Sequence, residues 1–198
     1  MTSEELKSFC KEFEISKNLL MLFSKDRLNE YKSNQSHINN FLLMQILAPK
    51  LGILEIVTRN KIALILSLND SKFISKQTFG YWAKVINDKK IHNFIVDLAK
   101  IDFRKYSKFN KKYEFRNYQK VKVVYSLLVT IRNRAFHFEN LLKTKGAKPR
   151  ITTILNDIVI GVDPDKLESF CDDVLECFES GLSRYLKNGA QGAPLISK

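Results

Sequence analysis

Residues 121–142 read VKVVYSLLVTIRNRAFHFENLL. Each residue of an α-helix turns by about 100°. On that spacing Val124, Leu127, Leu128, Ile131, Ala135, Phe138 and Leu142 gather on one face, which predicts a buried stripe. Asn133 and His137 are four residues apart, so they stand one above the other, away from that stripe. Arg132 and Glu139 fall at an edge between the two faces. The pattern predicts a helix from about Asn117 to Leu142 with a dry side and a polar, chemically equipped side.

The same periodicity recurs on both sides of this stretch. Towards the C-terminus, Asp163 and Pro164 form a helix start. Leu167, Phe170, Cys171, Val174, Leu175, Phe178, Leu182, Tyr185 and Leu186 follow at three- and four-residue steps, and Lys187-Asn188-Gly189 give a stop. Residues 189–198 read as a flexible tail. Upstream, Glu4–Phe23 and Thr78 to about Ala99 read as helices, and His37–Leu68 as a longer helical region interrupted by Pro49 and Gly52. Lys143–Arg150 is a basic loop. The apolar piece Ile151–Ile160 fits a helix or a strand equally well.

The chain has 198 residues, 44% of them apolar, enough for one packed domain over 1–198. Seven Gly and four Pro are few for a fold built on tight turns, which favours an all-α bundle. The N-terminus is charged and lacks the apolar core of a signal peptide. The apolar run Ile53–Leu68 is broken by Glu55, Arg59, Asn60 and Lys61, so no membrane span is expected. Cys10, Cys171 and Cys177 have neither the number nor the spacing of a disulfide framework, which points to a reducing cytoplasm.

Lys and Arg number 33 against 21 Asp and Glu, a formal charge of +12. The surplus is segregated: Lys72–Lys145 holds 18 basic and 5 acidic residues, and the remainder is close to neutral. Segregation of that kind points to a polyanionic partner, RNA first. Residues 102–122, DFRKYSKFNKKYEFRNYQKVK, interleave cations with aromatics. Lys108, Lys111, Lys112, Arg116, Lys120 and Lys122 are the candidate phosphate contacts. The aromatics either stack on unpaired bases or anchor the segment to the core.

The Arg132-Asn133-x-x-x-His137 group has the residue types for RNA scission. An imidazole can take the proton from a ribose 2′-OH, and a guanidinium from Arg132 or Arg134 can hold the phosphate as charge builds on it. Asn133 can orient the imidazole. No carboxylate cluster of the sort that holds a catalytic metal accompanies them, so no metal and no cofactor are expected. An exposed His on a basic helix can also be inert.

Arg132-Asn133-x-x-x-His137 resembles the R-N-x-x-x-H signature of HEPN ribonucleases. Three further stretches resemble the Abi-like branch of that superfamily, related to the AbiD/AbiF abortive-infection proteins. They are Ser24-Lys-Asp-Arg27-Leu28-x-x-Tyr31 followed by Asn40; Leu47-Ala-Pro49-Lys-Leu51 running into Leu54-Glu55-Ile-Val-Thr-Arg59-Asn60; and Thr78-Phe79-Gly80-Tyr81-Trp82. The likeness spans about Ser24 to Asn140. It implies a HEPN-type helical bundle with additional N- and C-terminal helices, usually a homodimer, that cuts RNA without metal by 2′-OH attack. The implied setting is phage defence or a toxin–antitoxin pair. A neutralising protein antitoxin or a structured RNA inhibitor would then be a partner. Where the family's run ends His-His-Glu-Pro, this chain has His137-Phe138-Glu139-Asn140, keeping the first His and the Glu. The resemblance makes Arg132, Asn133 and His137 the catalytic candidates. Arg134, Glu139, Glu55, Arg59 and Asn60 are auxiliary to them. A non-catalytic RNA-binding module, and a helical protein whose basic face meets an acidic partner, are the rival readings.

Overall fold

The computed structural model describes residues 2–12, 21–31, 33–146 and 148–185. The expected helix over Glu4–Phe23 is described as α1 (Ser3–Glu12), with residues 13–20 outside the described set. The Cys10 side chain and the tail 189–198 also lie outside it. The further helices are α2 (Lys25–Leu28), α3 (Asn34–Ile65), α4 (Ser71–Lys76), α5 (Phe79–Asp88), α6 (His92–Ile95), α7 (Asn117–Phe136) and α8 (Leu167–Phe178).

Local chemistry sets most of these boundaries. Side-chain oxygens of Ser24, Ser33, Asp70 and Thr78 accept the backbone N–H three residues on, starting α2, α3, α4 and α5. α3 is the central helix. Leu47, Leu51, Leu54 and Ile62 are sealed in the core, where they meet α5, α7 and α8. Pro49 does not break it, contrary to the interruption expected there. Pro49 lies on the exposed side, and so does Gln45, whose carbonyl loses the N–H that any residue but proline would offer there. By length and composition α3 could also cross a membrane, with a best-window mean hydropathy of 1.6, 33% of it buried in the bundle. The expected third helix stops at Asp88; Lys90 then takes a positive φ before the short α6.

Trp82 is fully buried, and a Cβ on Gly80 would sit 3.7 Å from Val129 Cγ1. The Gly-Tyr-Trp segment therefore packs α5 onto α7. On α8, Leu167, Phe170, Cys171, Val174 and Leu175 are buried as the periodicity required. The helix ends at Phe178, short of the expected Leu186, because Gly181 turns the chain with φ 86° into a 3₁₀ turn at Leu182–Arg184. Tyr185 is exposed.

The protein is mostly helical, as the periodicity implied, and adds two small antiparallel sheets that an all-α bundle would lack. β1 (Thr144–Lys145) pairs with β2 (Lys148–Pro149). β3 (Ile151–Leu155) pairs with β4 (Ile158–Val162) in a hairpin that lies against α7. Asn156 and Asp157 both have positive φ, 49° and 63°, which suits a two-residue turn to the twist of the strands. Gly161 is required where it stands, since a Cβ there would come within 2.3 Å of Pro149 Cγ.

Candidate functional site

α3 and α7 run antiparallel, as three contacts along their length show. Asn40 meets the chain just past the end of α7, Glu55 meets Arg132, and Thr58 Oγ1 lies 2.8 Å from the buried Tyr125 hydroxyl. The start of α3 is thus placed beside the end of α7.

α7 ends at Phe136, six residues before the predicted Leu142. His137 is its C-cap and Phe138 takes φ 54°. The Phe138 N–H donates to Ala135 O at 3.0 Å and the Glu139 N–H to Arg134 O at 2.9 Å, a Schellman closure. The residue in the left-handed position is usually Gly; here it is an aromatic. Phe138 therefore leaves the core stripe and is exposed, packing beside Phe41 at a ring distance of 5.9 Å. The rest of that stripe, Val124, Leu127, Leu128, Ile131 and Ala135, is buried as predicted, with Leu142 half-buried.

Beyond the cap, side chains far apart in sequence hold the chain. The Asn40 side chain is buried; its Oδ1 accepts from Leu141 N–H at 2.8 Å, and its Nδ2 donates to Glu139 O at 3.2 Å and to the Tyr31 hydroxyl at 3.0 Å. Asn140 Nδ2 donates to Glu30 O at 2.7 Å. Arg150 Nη1 donates to Asn140 O at 3.2 Å. The stretches around Arg27, Asn40 and His137 thus meet at one place.

His137 is exposed and opens on a cavity of about 350 Å³ formed by Asp26, Arg27, Glu30, Tyr31, Phe138, Glu139, Asn140 and Arg150. The His137 N–H still donates to Asn133 O at 3.0 Å, so the one-turn relation to Asn133 survives, and Asn133 is exposed too.

The cations are more committed than the sequence implied. Arg132 Nε lies 3.7 Å from Glu55 Oε2, its guanidinium sits over the Phe136 ring at 5.1 Å, and Arg132 Nη1 reaches Asn133 Oδ1 at 3.4 Å. Arg134 Nη1 donates to Glu139 Oε2 at 2.5 Å, and Arg150 Nη2 donates to the same oxygen at 2.9 Å. Glu139 is therefore a brace between two guanidiniums. The Nε atoms of Arg132 and Arg134 are buried without a hydrogen bond. Glu55 stands beside Arg132 as expected; Arg59 is half-buried and Asn60 exposed, and neither lines the His137 cavity.

The basic segment divides by function once folded. Phe103 and Tyr106 are buried; Tyr106 donates its hydroxyl to Asp173 Oδ2 at 2.7 Å and packs edge-on against Phe170. Asn110 fastens the segment to the hairpin, donating to Phe103 O and Gly161 O and accepting from Gly161 N–H at 2.7–2.8 Å. Tyr113 and Tyr118 are exposed. Lys108, Lys111, Lys112, Arg116 and Lys122 are exposed, Lys122 lying 5.8 Å from the centre of the Tyr118 ring.

Lys120 differs: its Nζ donates to the carbonyls of Leu98, Ala99 and Ile101 at 3.1, 2.9 and 2.8 Å. All three of its N–H bonds are spent on backbone, so it is a brace rather than a free phosphate contact. Lys111, Lys112, Tyr113 and Phe115 line a second cavity of about 330 Å³. Arg116 precedes the first turn of α7 and His137 follows its last. The 20 residues between span about 30 Å at 1.5 Å per residue, so the two regions cannot grip the same phosphate.

His37, which has no local signal of a role, is buried among Phe23, Tyr31 and Phe41, with ring distances of 4.7–5.0 Å. Burial, then the Arg27 charge, pushes its pKa below the ordinary imidazole value. Among the described residues no group of three His, Cys, Asp or Glu is placed to hold a metal ion. Comparison of the chain with protein-family models, curated proteins and solved structures finds no match.

Proposed function

We propose that this protein is a metal-independent endoribonuclease of the HEPN type, acting in phage defence or as a toxin. The observation that carries the reading is the end of α7: an exposed imidazole, its ring open to a cavity, one turn above Asn133 and next to the Arg132 turn. In this reading His137 accepts the 2′-OH proton and returns one to the leaving 5′-oxygen, leaving a cyclic phosphate. Arg132 stabilises the charge that gathers on phosphorus-bound oxygen, and Asn133 orients the reacting groups. Glu55 positions Arg132, and Glu139 positions Arg134. Lys108, Lys111, Lys112, Arg116 and Lys122 capture RNA at a distance from the scissile bond.

A homodimer fits this reading. A groove of about 400 Å³ formed by Phe41, Leu42, Gln45, Ala48, Phe136 and Phe138 adjoins the site, and its aromatic walls are exposed. A second copy covering it would bury the Phe136 ring on which the Arg132 guanidinium lies. Toxicity of such an enzyme would call for a neutralising protein or structured RNA.

A rival reading is a non-catalytic RNA-binding module, favoured by the pairing of Arg132 with Glu55 and Arg134 with Glu139. The test is RNA cleavage in the presence of chelator by the protein and its His137→Ala variant. The enzymatic reading expects cleavage by the former and none by the latter. RNA retained by both, with no product from either between about pH 6 and pH 8, would support the binding module instead.

A further inference from the structure

The His137 cavity holds an unusual balance of charge. Its walls carry three carboxylates, Asp26, Glu30 and Glu139, and two guanidiniums, Arg27 and Arg150. Most of these cancel in pairs. Arg150 bonds Glu139 at 2.9 Å and lies 3.7 Å from Glu30, Lys143 lies 3.6 Å from Glu30, and Arg134 closes on Glu139 from behind. Arg132, the cation assigned by pattern to the phosphate, is not part of the cavity wall. It lies along α7 towards Glu55 and the Phe136 ring.

Arg27 is left over. It is exposed on the cavity wall, and its guanidinium makes no ion pair or side-chain hydrogen bond with any described residue. Its backbone is fixed nonetheless: the Arg27 N–H donates to Ser24 Oγ, and the neighbouring Leu28 is fully buried. Asp26, its neighbour in sequence, lines the cavity too but forms no ion pair with Arg27. Tyr31 lines the same cavity; its hydroxyl accepts from Asn40 and has its own proton left to donate.

We propose that Arg27 is the group that binds the phosphodiester in the His137 cavity, with Tyr31 as a second donor, and that Arg134 and Arg150 are positioning residues that hold the loop through Glu139. A guanidinium suits this task because it offers paired N–H donors to two non-bridging oxygens. The inference rests on the ribonuclease reading only for the identity of the phosphate as part of an RNA chain; that Arg27 binds an anion beside His137 stands apart from catalysis.

The test uses the full chain and adenosine 3′-monophosphate as probe, read on the ring signals of His137. The chain has only three histidines, so a His137→Ala spectrum assigns them. Titration should shift the His137 signals. Arg27→Gln should weaken that response at least about tenfold, with Arg27→Lys between, and should lower RNA kcat/KM by about 10²-fold, the usual cost of one oxyanion donor. Lys166→Gln, which removes a charge elsewhere, controls for net charge. Melting temperatures matching the parent confirm the fold, as expected for an exposed side chain.

Nucleotide affinity and cleavage both within twofold of the parent in Arg27→Gln would overturn the proposal, as would no His137 response in the parent. A nucleotide response that needs Arg27, in a protein that cuts no RNA, would uphold the anion site and sink the ribonuclease reading.

Discussion

Replacing Asn40 tests the assembly of the site most directly. Its side chain is 1% exposed and ties the first turns of α3 to the chain beyond His137. In Asn40→Ala the Leu141 N–H loses its partner inside the core, where leaving a donor unmade costs about 1–3 kcal/mol. The Glu139 carbonyl, only partly buried, loses a bond worth about 1 kcal/mol, and the Tyr31 hydroxyl loses a donor of similar weight. Allowing for partial relaxation, the loss is about 2–4 kcal/mol, or about 5–12 °C in melting temperature for a domain of this size.

Asn40→Leu separates bonding from packing, because Leu fills the space without offering a partner. It should be as damaging as Ala. Urea unfolding followed by circular dichroism measures both variants, and RNA cleavage measured well below their midpoints reports on the freed loop. A change below about 0.5 kcal/mol in both variants would refute the claim that these bonds anchor the segment after α7. Full recovery by Leu would show that volume, not hydrogen bonding, holds it.

Lys120→Met keeps the aliphatic stem and removes three charge-assisted bonds to carbonyls, so stability should fall by about 1.5–3 kcal/mol in urea unfolding. RNA affinity should fall less than in the Lys111→Glu, Lys112→Glu double variant; the reverse order would return Lys120 to the RNA surface. Acid should weaken the fold through its buried imidazoles. Burial lowers the pKa of His37 and His92 below 6.5, with the charges of Arg27 and Lys122 adding to it. The unfolded chain then binds protons that the folded chain refuses, so their contribution is complete above about pH 6.5 and is lost as pH falls from there through the folded values. Urea midpoints should drop between pH 7.5 and 5.5, and drop less in His37→Phe; equal midpoints in the parent at both values would contradict this. The low Asp102 pKa, about 2 beside Arg104, falls outside that window.

Some features missing from the sequence reading had a local signal. Ile151–Leu155 and Ile158–Val162 are rich in β-branched residues and flank Asn156-Asp157, two residues that tolerate the left-handed region. That is a hairpin signature within one window. The early end of α7 had no such signal, because a left-handed Phe138 is held by the Schellman bonds and by Phe41, not by its own preference. Pro49 shows the converse: a strong local breaker is overruled where the rest of a long helix is packed and the broken bond faces water.

The sequence alone determined the mostly helical class, the buried stripes of α7 and α8 and the exposure of Asn133 and His137, because an apolar spacing of three and four residues and the hydrophobic effect together choose a helix's inner face. It also placed the cationic surplus in the middle of the chain. Only the tertiary structure decided which cations around the site are committed to partners. Glu55 reaches Arg132, Arg150 reaches Glu139, and three carbonyls occupy Lys120, while Arg27 arrives at the His137 cavity with no ion-pair partner among the described residues. A charge acts through what stands within a few ångströms of it, and those neighbours are 11 to 77 residues away along the chain.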